Sequence, residues 1–131
     1  MPDQPTIQVF GRRDSRETQK ALRFFRERRL AVSFVDVAAR PPAPAELRRF
    51  AERLGAQALL DREGRRYREL GLGYLHMEPD DVLDRLRDDP ALLRLPLVRR
   101  GSAVSAGADE SAWRAWIASG DRPQSGGAGR G

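Results

Sequence analysis

Polar and apolar residues alternate through Thr6-Ile7-Gln8-Val9-Phe10, and a period of two predicts a strand, half-buried or central. Gly11 interrupts it. From Ser15 the period lengthens: Thr18, Ala21, Leu22 and Phe25 recur at i, i+3, i+4 and i+7, the inward stripe of a helix. Asp14 or Ser15 can cap that helix, and Asp14 with Glu17 has capping-box spacing. Residues 31–37 (AVSFVDV) predict a second strand. Strand, helix and strand within about 30 residues make a βαβ unit, so the two strands are expected to be parallel.

The stiff Arg40-Pro41-Pro42-Ala43-Pro44 loop leads into a helix with Leu47, Phe50, Ala51 and Leu54 inward, stopped by Gly55. Short helical pieces follow, at Ala58-Leu59-Leu60 and at Tyr67-Arg68-Glu69-Leu70 before Gly71. A further helix after Glu78-Pro79 places Val82, Leu83 and Leu86 inward, and Pro90 begins another turn through Leu93. Residues 96–100 and 103–105, with Gly101 at the turn, predict a hairpin. The last helix carries Trp113, Trp116 and Ile117 on one face and is expected to bury them. No internal repeat is visible.

The order is thus β-α-β, an all-helical insert over about 44–93, then β-β-α. This predicts an α/β fold: a thioredoxin-like four-stranded mixed sheet with flanking helices, spanning 6–118. Residues 1–5 are expected to be a flexible start, and the Gly- and Ser-rich residues 119–131 a disordered tail.

Composition narrows the chemistry. The chain has 131 residues, enough for one domain with its own core. It has no cysteine, which excludes disulfides, thiolate catalysis by the chain itself, cysteine-bound zinc and iron–sulfur clusters. His76 is the single histidine, so no multi-histidine metal site is expected. No apolar run approaches the ~20 residues of a membrane span. The N-terminus lacks signal-peptide character, and a cytoplasmic location is expected. The net charge of +5 comes from 23 arginines and Lys20, with bases concentrated in residues 12–29 and acids in 78–89. Acids are interleaved along most of the chain, which reads as a solvated surface rather than a nucleic-acid face.

Three segments resemble the arsenate reductase-like (ArsC) family, and within it the Spx/YffB-type small proteins. Val9-Phe10-Gly11-Arg12-Arg13-Asp14-Ser15 with residues 16–22 is similar to that family's strand, cysteine loop and first helix. Residues 59–72 (LLDREGRRYRELGL) are similar to its Leu-Leu…Gly…(Tyr/Trp)-Arg-x-Leu-Gly signature. Leu92-Leu93-Arg94-Leu95-Pro96-Leu97-Val98 resembles its Arg-Pro-(Ile/Leu)-Val segment. The resemblance implies that Ser15 stands at the nucleophilic cysteine position and Thr18 at the second cysteine position. It also implies a structural cis-proline at Pro96. Two family arginines are displaced: Leu95 and Asp61 stand in their places, beside Arg94 and Arg62.

A serine hydroxyl lacks the acidity and the reversible redox couple of a thiol, and its activation needs an adjacent base. Anion binding at the first helix's N-terminus is the chemistry that can survive, with Arg12, Arg13, Arg16 and Arg94 as candidates. The leading expectation is therefore a non-catalytic binding or regulatory relative of arsenate reductase, with no cofactor or metal, and with a protein partner or a small oxyanion as ligand. The alternative is an arsenate reductase-like or glutathione-dependent thiol oxidoreductase that uses an external thiol, since family relatives use glutathione and glutaredoxin. A nucleic-acid-binding module on residues 12–29 ranks last, because no recognised motif supports it. His76, Trp113 and Trp116 read as structural.

Overall fold

In the computed structural model, which describes residues 6–118, the strands are β1 (Ile7–Gly11), β2 (Val32–Asp36), β3 (Leu97–Arg100) and β4 (Ala103–Ala106). The expectations for 1–5 and 119–131 lie outside the described residues. The sheet order is β2-β1-β3-β4. β1 is central, parallel to β2 with Val9 opposite Phe34, and antiparallel to β3 with Val9 opposite Val98. β3 and β4 form the expected hairpin, with Arg100 opposite Ala103. Its two-residue turn begins with Gly101 at φ +60°, a conformation that favours glycine in this turn.

Alternation along the strands divides the core in two. Ile7, Val9 and Val98 face α1 (Arg16–Glu27) and α5 (Glu110–Ala118), packing on Ala21, Leu22, Phe24, Phe25 and Trp113. Phe10 and Leu97 face the opposite way, onto α2 (Pro44–Leu54) and α4 (Pro79–Asp88) through Leu47, Phe50, Val82 and Leu86. Each fully buried Val, Leu, Ile or Phe side chain among them contributes about 1.5–3 kcal/mol. The short α3 (Arg65–Glu69) and the 3-10 turns Ala56–Leu59, Leu72–Tyr74 and Pro90–Leu92 complete the segment between β2 and β3. Helices thus cover both faces of a mixed sheet, the thioredoxin-like arrangement that the element order predicts.

Local details depart from the sequence pattern. Ser15, not Asp14, caps α1: its Oγ accepts from the Thr18 N–H at 3.1 Å. The Asp14 carboxylate is held by Arg12 instead, so the Asp14–Glu17 capping box does not form. Phe24 lies off the i, i+3, i+4 stripe yet is buried, because the Arg28 guanidinium covers its ring at 3.7 Å and Trp113 packs at 5.3 Å. Trp113 is fully buried, but Trp116 and Ile117 are only half-buried at the edge of that core. The piece expected helical through Leu60 stops at Leu59, and Leu60 instead forms an isolated antiparallel bridge with Leu93.

Candidate functional site

β1 hands the chain at Gly11 to a tight turn, closed where the Ser15 N–H donates to the Arg12 carbonyl at 3.0 Å. A Cβ at Gly11 would overlap Oγ1 and Cγ2 of Thr18, so the residue must be glycine for the helix to start this close to the strand. Thr18 is fully buried at this junction, and its Oγ1 accepts from the Arg12 N–H at 3.3 Å. Thr18, which the resemblance sets at the second cysteine position, is thus a core hydroxyl. Ser15 is half-exposed, and its oxygen is occupied by the cap.

The opposite wall comes from the segment between β2 and β3. The Asp61 N–H donates to Leu92 O, and the Arg94 N–H to Leu59 O, both at 2.8 Å, on either side of the Leu60–Leu93 bridge. This clamp brings Asp61, Pro90 and Leu93 over the start of α1. Together with Leu95 they enclose a cleft of about 350 Å³ with Arg12, Asp14, Ser15, Arg16 and Glu17. The Leu95–Pro96 bond is cis, and Pro96 is buried behind Leu95 rather than exposed in the cleft wall.

The four candidate arginines separate. Arg12 and Arg16 line the cleft, but the Arg12 guanidinium forks onto Asp14 through bonds of 3.1 and 3.0 Å. Arg13 turns away toward β2, 3.8 Å from the Asp36 carboxylate and 5.1 Å above the Phe34 ring. Arg94 does not line the cleft, although Leu93 and Leu95 on either side of it do. Its guanidinium lies against Gly107, where a Cβ would come within 2.6 Å of Nε.

The cleft therefore carries two arginines against the carboxylates of Asp14, Glu17 and Asp61. Glu17, Pro90 and Leu93 escape sequence reasoning as site residues, because one isolated bridge brings the second wall into place and no periodicity announces it. His76 lies elsewhere, exposed and paired with Glu78 at 2.9 Å. Among the described residues no cluster of His, Asp or Glu can hold a metal ion, and no helix is long and apolar enough to cross a membrane.

Comparison with known proteins matches residues 10–116 to the model of the ArsC family. An arsenate reductase of Neisseria meningitidis serogroup A is 29% identical over 106 residues, covering 79% of this chain and 91% of that protein. The uncharacterized protein YusI of Bacillus subtilis is 30% identical over 96 residues, 70% of this chain and 81% of YusI. Among solved structures, a YffB protein superposes with a TM-score of 0.77 at 22% identity, over 83% of this chain and 96% of its own. An arsenate reductase from Vibrio cholerae gives a TM-score of 0.73 at 18% identity, over 82% and 96%.

Proposed function

The chain belongs to the ArsC family, and from that premise we propose that it is a member that binds a ligand without reducing it. One observation carries the reading: Ser15, which the resemblance sets at the family's nucleophile position, has its oxygen engaged as the cap of α1. A nucleophilic serine needs a base beside it. The neighbouring carboxylate, Asp14, is tied to Arg12, and His76 does not line the cleft. Reduction of an oxyanion through the chain's own thiol needs a cysteine, and this chain has none.

The balance of charge supports a particular kind of ligand. With three carboxylates facing two arginines, a bare oxyanion meets repulsion as well as attraction. A polypeptide partner that brings both signs of charge suits the cleft better. The proposal requires no cofactor and takes the cytoplasm as its setting.

The decisive experiment is a coupled assay of arsenate reduction with glutathione, glutaredoxin and NADPH. The expected rate equals that of the mixture without the protein. Turnover well above that blank, unchanged by Ser15→Ala, would overturn the proposal and favour a reductase that works through an external thiol.

A further inference from the structure

At the end of the sheet remote from Ser15, the central strand carries a polar row. Ser33 of β2, Gln8 of β1 and Arg99 of β3 stand opposite one another in register, on the face that α2 covers. A polar side chain on a central strand is costly unless it is satisfied. Here the Gln8 Oε1 accepts from one arm of the Arg99 guanidinium, and Glu46 of α2 accepts from the other at 3.3 Å. Arg99 and Glu46 retain only 20% and 26% of their side-chain exposure, so the pair forms a fixed floor.

One shallow, open depression of about 600 Å³ is lined by the polar row, Thr6 and Arg49. A second, of about 300 Å³, adjoins it through Arg49, Arg99 and Gly101, and extends to Arg53 and Ser102. Arg49 and Arg53 are both exposed, and among the described residues neither has a hydrogen-bond or ion-pair partner. Glu46 offsets Arg99, and Glu52 is the one carboxylate among the residues lining the two cavities. The groove is thus net positive, with its two exposed cations unengaged.

We propose that this groove is a second ligand site, distinct from the Ser15 cleft, which takes the diphosphate moiety of a small molecule. Residues four apart on a helix are neighbours, about 5–6 Å between Cβ atoms. Arg49 and Arg53 can therefore each fork onto one of two linked phosphate groups. The hydroxyls of Ser33 and Ser102 supply further donors at the two ends of the groove. No aromatic residue lines either cavity, so no platform exists for stacking a base. Recognition rests on the diphosphate, whether free or carried by a nucleotide.

The test is calorimetric titration of the full chain with pyrophosphate, ADP and AMP at low salt, with amide shifts followed by NMR. Pyrophosphate and ADP are expected to bind, with AMP about tenfold weaker or more, and with shifts at Ser33, Gly101 and Ser102. Arg49→Gln with Arg53→Gln should weaken pyrophosphate binding about tenfold or more at unchanged Tm. A charge-matched control, Arg23→Gln with Arg26→Gln on the exposed face of α1, should not. ADP tighter than pyrophosphate would make a nucleotide the ligand, and equal affinities would make it the diphosphate alone; both support the site. AMP binding as tightly as ADP, shifts confined to residues 12–17, undiminished binding by the double variant, or no binding at millimolar pyrophosphate would each overturn it. All of these outcomes are independent of the arsenate assay.

Discussion

Sulfur at position 15 would sit where a backbone N–H already points, because the Thr18 amide donates to whatever atom the side chain presents there. Ser15→Cys is therefore expected to give a thiol with a pKa below the unperturbed value of about 8.5. The helix terminus favours the thiolate, and the carboxylates of Asp14, Glu17 and Asp61 oppose it. Alkylation rate against pH measures this directly; a pKa at or above about 8.5 would mean the terminus offers no electropositive assistance. At this scale the sequence was legible where a role depends on the backbone. Ser15 at the helix start and Gly11 at the strand's end follow from the pattern itself, and the cis Leu95–Pro96 bond from the resemblance. Side-chain direction was not legible. Arg13 and Arg94 belong in sequence to the segments that form the cleft, yet one lies over Phe34 and the other against Gly107.

Helix α5 is joined to α1 and the sheet by directional contacts as well as by packing. Glu110 receives Arg114 from the next turn of α5, at 3.1 Å, and Lys20 from α1 at 3.5 Å. The hydrogen bond from Arg114, and then the charge of Lys20, hold the Glu110 carboxyl below the usual carboxylate range. A group with a depressed native pKa stabilises the fold above its unfolded pKa, about 4.3 for glutamate, and loses that contribution as pH falls through the native value. Glu110→Gln is thus expected to lower Tm slightly at pH 7. The difference from the parent should shrink toward zero as the pH is taken below about 4, as thermal melts across a pH series would show. A difference independent of pH would assign the effect to packing instead. Hydrophobic period located every strand and the long helices, because those elements each bury a regular face. It missed Phe24, whose burial depends on cover by Arg28 and Trp113 from outside the stripe. It also overstated the burial of Trp116 and Ile117, since α5 lies at the margin of its core.

Across the whole molecule, two cores share one sheet, and Trp113 is the largest fully buried side chain. It packs on Phe24 and Phe25 of α1 at 5.3 and 5.2 Å, and its Nε1–H donates to the buried Ser105 Oγ of β4 at 3.0 Å. Trp113→Ala should cost about 3–5 kcal/mol, read as a lowered midpoint in urea; a loss under about 1 kcal/mol would show that α5 is dispensable to the fold. The oxygen at position 15 has one further meaning at this scale. A cysteine at the head of such a helix climbs an oxidation ladder, from thiolate to sulfenic acid to disulfide, and so reports the oxidant level around it. A hydroxyl has no such ladder. Among the described residues the one sulfur atom belongs to Met77, half-buried against the core. The residues that line the cleft carry neither thiol nor thioether, so an oxidant finds no sulfur there to modify.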